Sequence, residues 1–301
     1  MGRTKFFALA LISASIAVTG CSPPANNSTT NTLAGNTASQ KLVVALKPDK
    51  NPDQMVEERQ ALSKYLSDKL GRQVEVVIPV SAAVINEGFS NGTVDIGYLS
   101  ANDLINSKDA ELLLVGEING QTTYKSYWLG LREKPYDSID DLRGKPVAFA
   151  SKTSTSGYVI PLWDLKKRNL LGDGNDPETF FGQGNVFYGT GYVSAVERVL
   201  NGQAEAAAVS YYVLDEDKHL SAEQRGRLKK IAEQGDVPTH IIATRRTVSP
   251  AERSSLRQAL LELNSDPNTG LRDRVFTSKL VEAEQEAHLR PLREALSVLP
   301  K

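Results

Sequence analysis

The sequence predicts an α/β fold of two similar lobes, and three observations carry that prediction. Short β-branched and apolar runs alternate with stretches of helical periodicity from Lys41 onward. The same grammar restarts after Lys134-Pro135. Finally, one helix–turn–strand segment recurs: Asn91-Gly92-Thr93-Val94-Asp95-Ile96-Gly97-Tyr98-Leu99-Ser100 shares the pattern Asn-Gly-x-x-acid-x-small-x-x-Ser with Asn201 to Ser210, 110 positions later. In both copies a glycine ends a helix and a serine sits where a strand runs out. Chance likeness of two helix–turn–strand units is the alternative. Open α/β sheets bind ligands at the carboxyl edge of their strands, so two such edges facing each other make a cleft.

The amino terminus reads as an export signal. Arg3 and Lys5 precede an uncharged apolar and small-residue run, Phe6 to Thr19, which is short for a spanning helix of roughly 20 apolar residues. Cys21 is the only cysteine, so the fold stands without an internal disulfide and needs an apolar core. Val18-Thr19-Gly20-Cys21 resembles the lipobox of bacterial lipoproteins. That resemblance implies removal of residues 1–20 and diacylation of Cys21, which anchors the chain on the periplasmic side of the cytoplasmic membrane or on the outer cell surface. Ser22 to Gln40 is uncharged and rich in Asn, Thr, Ser, Ala and Pro, and reads as a disordered linker. Loss of Arg3 and Lys5 takes the formal charge from −1 to −3, which argues against nucleic acid as a partner.

From Lys41 the elements follow in order. Leu42 to Leu46 is a strand; Asn51-Pro52 opens a helix carrying Met55, Leu62, Leu66 and Leu70 at helical spacing, and Gly71 ends it. Val74–Ile78 is a strand, Val84–Phe89 a helix, and Val94–Leu99, Leu112–Val115 and Tyr127–Leu131 are further strands. Ser138 caps a short helix through Leu142, followed by the strand Val147–Ala150 and a helix over Thr155–Asn169. Asn185–Tyr188 is a strand, Tyr192–Leu200 a helix and Ala204–Val209 a buried strand. His240–Thr244 is a last strand before helices at Pro250–Asn264 and Leu280–Leu296. This alternation predicts mostly parallel sheets covered by helices. The basic stretch Arg225 to Lys230 reads as a helix face, and Asp215-Glu216-Asp217 as a solvated turn.

The sharpest chemical signal is Ser154-Thr155-Ser156-Gly157-Tyr158, between the strand Val147–Ala150 and the helix after it. The first N–H groups of a helix have no intrahelical partner, the dipole there favours negative charge, and Ser and Thr add O–H donors. Plain capping needs one such residue; here three come in succession, which points to an anion. Gly189-Thr190-Gly191 is a weaker signal of the same kind, since Gly lets a backbone approach a ligand closely. His219, His240 and His288 have no partner at metal-ligand spacing, and no Gly-x-Ser-x-Gly elbow, Walker-type loop or acid/base pair accompanies the serines. The residues therefore name no catalytic group, metal or cofactor.

These marks resemble the solute-binding proteins of phosphonate, phosphite and phosphate ABC transporters. The resemblance rests on Asn51-Pro52, Val94 to Tyr98, Tyr124-Lys125-Ser126, the Ser138–Leu142 helix running into Arg143-Gly144-Lys145, Ser154 to Tyr158 with Pro161, and Asn201-Gly202 before an Ala-rich strand. It implies a type II periplasmic-binding fold with two crossover strands, lobe one at 41–131 plus 237–301 and lobe two at 132–236. It also implies a monomer that captures a small oxyanion and hands it to permease and ATPase subunits. By that resemblance Ser154, Thr155, Ser156 and Gly157 hold the phosphorus oxygens and Tyr124 closes over them. Tyr98, Ser100, Thr190, Gly191 and Tyr211 are further candidates. Where many relatives carry a His and an acid this chain has Gly191-Tyr192, and where they carry an Asp or Glu it has Ser210-Tyr211-Tyr212. Without those acids the expected ligand is phosphite, methylphosphonate or phosphate rather than an aminoalkylphosphonate. Asp215, Glu216 and Asp217, or the faces of Tyr192, Tyr211 and Tyr212, are the groups that could hold an amine instead. An enzyme acting on a phosphorylated or pyrimidine substrate and a sensory ligand-binding subunit are the alternative functions.

Overall fold

The computed structural model describes residues 41–47, 55–216, 219–276 and 278–299. The export signal, Cys21, the linker and the Asn51-Pro52 helix start lie outside them. The chain runs β1 (Leu42–Ala45), α1 (Val56–Leu70), β2 (Val74–Val77), α2 (Ala82–Asn91), β3 (Ile96–Leu99), α3 (Ala101–Ile105) and β4 (Ala110–Glu117) before a first crossover. It continues through β5 (Thr123–Leu131), β6 (Val147–Phe149), α4 (Ile160–Lys167), α5 (Glu178–Phe181), β7 (Val186–Tyr188), α6 (Tyr192–Leu200), β8 (Ala206–Ser210), α7 (Tyr212–Asp215), α8 (Ala222–Gly226) and β9 (Leu228–Pro238). After the second crossover come β10 (Ile241–Arg245), α9 (Pro250–Leu261), α10 (Thr269–Val275), β11 (Lys279–Val281) and α11 (Gln285–Leu296). Among the described residues no helix is long and apolar enough to cross a membrane.

Two sheets result, ordered β11-β4-β10-β3-β1-β2 and β7-β6-β8-β5-β9. Each contains the same parallel trio, β2-β1-β3 in one and β7-β6-β8 in the other. The recurring segment marks equivalent places in the two trios. Gly92 and Gly202 stop α2 and α6 at φ 79° and 71°, a conformation glycine adopts without steric cost. Ser100 and Ser210 close β3 and β8. The shared acid is structural in both copies. Asp95 accepts the Val43 N–H at 2.9 Å and pairs with Arg245 at 2.6 Å, while Glu205 takes Lys134 at 3.1 Å.

The sheets are mixed rather than mostly parallel. The strands that enter and leave each crossover, β4 and β10 in one sheet and β5 and β9 in the other, run antiparallel to their neighbours. β9 also corrects the helical reading of Arg225–Lys230, since the helix stops at Gly226 and Leu228 begins the strand. From Leu228 to Val237 its buried positions, Leu228, Ile231, Gln234 and Val237, fall every third residue. Two register shifts against β5 each insert one extra residue, which turns a strand's period of two into an apparent helical period of three. The last predicted helix likewise divides: Leu280 and Val281 belong to β11, which pairs with β4, and the helix begins at Gln285. The element at Ile139–Leu142 is a 3-10 turn.

The two crossovers lie side by side. The Thr239 N–H donates to the Thr122 carbonyl at 3.0 Å, and the Thr239 hydroxyl reaches the Gly116 carbonyl at 2.7 Å. Beneath them, α11 packs on α3 of the first sheet's side and on α4 and β9 of the second. Its Leu289, Leu292 and Ala295 are buried in one cluster with Tyr158, Val159 and Ile160. The second sheet's core is aromatic, with Trp128, Phe149 and Phe181 in mutual contact. That packing fixes the base on which the Ser154 turn stands.

Candidate functional site

Ser154 leaves β6 with extended backbone, and its Oγ accepts the Gly157 N–H at 3.0 Å. Thr155–Val159 then forms a π turn leading into α4, with the Val159 N–H donating to the Ser154 carbonyl at 3.0 Å. With Gly157 capped by Ser154, the Thr155 and Ser156 N–H groups remain as helix-start donors without an intrahelical acceptor. Tyr158 pins the turn to the sheet: it is buried, and its ring meets Phe149 edge-on at 5.3 Å and Tyr188 at 5.6 Å. Glycine is required at 157 by close approach. A Cβ there would lie 2.5 Å from Ala150 Cβ, 2.9 Å from Ser154 Oγ and 3.1 Å from Tyr192 Cε1.

Ser156 is the centre of a hydroxyl cluster. It is fully buried, with its Oγ 2.6 Å from the Tyr192 hydroxyl and 3.5 Å from that of Tyr124. Its carbonyl accepts the Ser126 hydroxyl at 2.6 Å, and Ser126 accepts Gln234 Nε2 at 3.2 Å. Tyr124 and Ser126 reach the same turn because residues two apart on β5 share a face. Ser210 pairs with Ser126 across β5 and β8. Its Oγ is buried without a hydrogen bond of ordinary geometry, although it counters the upward pKa shift of Tyr124. Ring contacts link Tyr124 to Tyr211 at 5.7 Å, Tyr211 to Tyr212 at 5.8 Å and Tyr212 to Tyr192 at 5.7 Å.

The charge state of this cluster follows from burial. Desolvation first, and the neighbouring Tyr192 second, push the Tyr124 hydroxyl above its ordinary 10.0, so it stays a neutral donor. Burial and then Glu216 do the same to Tyr211. Of the Asp215–Asp217 run, Asp215 is exposed, in keeping with a solvated turn, and both described acids accept hydrogen bonds from tyrosine hydroxyls. Tyr211 donates to Glu216 at 3.1 Å and Tyr127 donates to Asp215 at 2.8 Å; Asp217 lies outside the described residues. Among the described residues no group of three or more His, Cys, Asp or Glu is arranged to hold a metal ion.

Hydrogen bonds and ring contacts join Tyr124, Ser154, Ser156, Gly157 and Tyr211 at the turn that carries Thr155, while the polar groups of the other candidates have partners of their own. Tyr98 is buried in the first sheet's core and donates to the Phe276 carbonyl at 2.8 Å. Ser100 caps α3 in a reciprocal box with Asp103, at 2.6 Å between Oγ and Oδ2. The Thr190 and Gly191 N–H groups donate to Ser194 Oγ at 2.9 and 3.2 Å. Asn102, two residues beyond Ser100, donates to the Thr153 carbonyl at 3.4 Å, so the edge of the first sheet touches the Ser154 turn. Ser126, Ser210 and Gln234 join the cluster without having been candidates, and Tyr192, read only as a face for an amine, joins through its hydroxyl. Tyr192 and Ser210 were visible as departures from the resemblance, and Ser126 as the end of Tyr-x-Ser. Gln234 gave no signal, because the β9 bulge alone turns it inward.

A family model described as the periplasmic substrate-binding protein of phosphonate ABC transporters matches residues 44–288. The phosphate-import protein PhnD of Mycolicibacterium smegmatis is 24% identical over 221 residues, covering 70% of this chain and 68% of that protein. Among solved structures, XAC2383 from Xanthomonas citri bound to ATP superposes with a TM-score of 0.71 at 21% identity, over 86% of this chain and 98% of that one. PhnD1 from Prochlorococcus marinus in complex with methylphosphonate gives 0.68 at 16% identity, over 86% and 99%. These likenesses establish the type II periplasmic-binding fold. With four fifths of its length matched by one family model, this chain belongs to the periplasmic substrate-binding proteins of phosphonate ABC transporters.

Proposed function

We propose that this chain is a lipoprotein that captures a small, amine-free phosphorus oxyanion, such as phosphite, methylphosphonate or phosphate, between two closing lobes and delivers it to a membrane permease. The observation that carries the ligand class is the Ser154–Ser156 turn. Two helix-start N–H groups and the hydroxyls of Ser156, Tyr124 and Tyr192 belong to this turn or bond to it, and among the described residues no carboxylate is hydrogen-bonded to any of these hydroxyls. Such donors suit a tetrahedral oxyanion. Glu216 and Asp215 each accept a tyrosine hydrogen bond, and neither is bonded to the Ser156, Tyr124 or Tyr192 hydroxyl. The phosphate-import and methylphosphonate-bound relatives support the same ligand class. Cys21, on its 19-residue uncharged tether, supports anchoring within reach of the permease. The protein works as a monomer in this reading.

Calorimetry and thermal shift over phosphite, phosphate, methylphosphonate and 2-aminoethylphosphonate test the reading. Binding to the native state raises the melting temperature. Silence across the panel, or tighter binding of 2-aminoethylphosphonate than of every amine-free ligand, refutes it. Ser154→Ala combined with Thr155→Ala is expected to abolish the response. For the anchor, mass spectrometry of the mature protein is expected to show acylated Cys21, and an unmodified cysteine refutes lipidation.

A further inference from the structure

The lining of this niche bears on which oxyanions it accepts beyond those of phosphorus. The Tyr124, Ser156 and Tyr192 hydroxyls are linked at 3.5 and 2.6 Å. Each carries one proton and two lone pairs. Tyr124 donates to Ser156, and either member of the Ser156–Tyr192 pair can donate, so two links consume two of the three protons. The spare O–H therefore sits on Tyr192 or on Ser156, and free lone pairs remain to accept. The buried Ser210 Oγ adds another hydroxyl beside Tyr124.

A carboxylate is different. It is acceptor-only when ionised, so it welcomes the proton of a P–OH group and repels an oxyanion that has no proton to give. In this chain the nearby acid Glu216 accepts a hydrogen bond from the Tyr211 hydroxyl.

Resting on the phosphorus-oxyanion reading, we infer that the same niche binds tetrahedral sulfur oxyanions, alkylsulfonates and sulfate, because among the described residues its linked hydroxyls bond to one another and to no carboxylate that would reject a ligand without an acidic proton. Tyr192 is the residue that sets this tolerance. It stands at the start of α6, where its hydroxyl meets Ser156 directly.

Methylphosphonate and methanesulfonate have nearly the same shape and differ in the P–OH proton. Calorimetry with both, in mildly acidic buffer where each is a monoanion, reads the inference directly. The expected dissociation constants lie within about tenfold of each other. An acid-lined site would separate them by about four orders of magnitude, the scale seen when a buried polar group is left without its partner. Methylphosphonate binding with methanesulfonate weaker by more than about tenfold overturns the inference and leaves the phosphorus reading intact. Absence of binding by any phosphorus oxyanion overturns both. Tyr192→Glu adds an acceptor-only group at a helix start, where an acid is well tolerated. It is expected to weaken methanesulfonate selectively, by about a hundredfold or more. Equal weakening of both ligands overturns the assignment to Tyr192.

Discussion

Replacing Gly157 with alanine tests the geometry of the Ser154 turn as a whole. The added Cβ would sit 2.5 Å from Ala150 Cβ, 2.9 Å from Ser154 Oγ and 3.1 Å from Tyr192 Cε1. The first contact has little room to relax. The Ala150 N–H donates to the Gly157 carbonyl at 3.0 Å, so the strand end and the turn are tied together on that side. Relief must come from the Ser154 cap and from Tyr192. Overpacking of this kind costs about 1–3 kcal/mol, and the better helix propensity of alanine returns up to about 1 kcal/mol. A net loss of roughly 1–2 kcal/mol lowers the melting temperature by about 2–8 °C for a domain of this size. Displacing Ser154 and Tyr192 also disturbs the hydroxyls around Ser156, so affinity for whichever oxyanion binds is expected to fall about tenfold or more. Thermal denaturation with and without ligand measures both effects. A Gly157→Ala protein with wild-type melting temperature and ligand response would refute the claim that this turn is packed too tightly for any side chain.

Three further outcomes are expected. Ser126→Ala strands the Gln234 amide and removes the donor to the Ser156 carbonyl, both in buried surroundings. It should cost about 1–3 kcal/mol in urea denaturation and weaken ligand binding, and an unaltered midpoint argues against the network. Gly235 sits at φ 58° in the β9 bulge with Ile160 Cγ2 2.2 Å from the position of a Cβ. Gly235→Ala should therefore destabilise by about 2 kcal/mol or more, whereas a neutral substitution would show the bulge to be soft. His288 is buried on α11 against the Thr239 carbonyl at 3.3 Å, and burial holds its pKa below the ordinary 6.5. The unfolded chain then takes up a proton near pH 6.5 that the folded chain refuses, so stability present above that pH is lost as pH falls below it. Urea midpoints measured on both sides of that pH should differ less for His288→Asn than for the wild type; an equal difference would remove His288 from the acid response.

How much of this was legible depended on the range of the interaction. The form of the Ser154 turn was readable because its parts are contiguous: Ser154 to Gly157 encode cap, helix-start N–H groups and close approach within four residues. The equivalence of β3 and β8 was readable from Asn91–Ser100 and Asn201–Ser210, because helix stops and strand ends are local. β9 was not. Its two bulges exist only against β5, and they convert a strand's period into a helix's.

The amino-acid sequence by itself determined the α/β alternation and the hydroxyl-rich helix start, since propensity, periodicity and capping act over a few residues. Only the tertiary structure decided which polar groups meet at the Ser154 turn. Tyr98 and Ser100 lie on a strand end of the expected kind, yet their hydroxyls go to the Phe276 carbonyl and to Asp103. Tyr192 and Gln234, 42 residues apart, arrive at Ser156 and Ser126 because α6 starts beside the turn and β9 bulges behind it. A hydroxyl's role depends on what it meets, and for these residues the partners come from distant segments that only packing brings together.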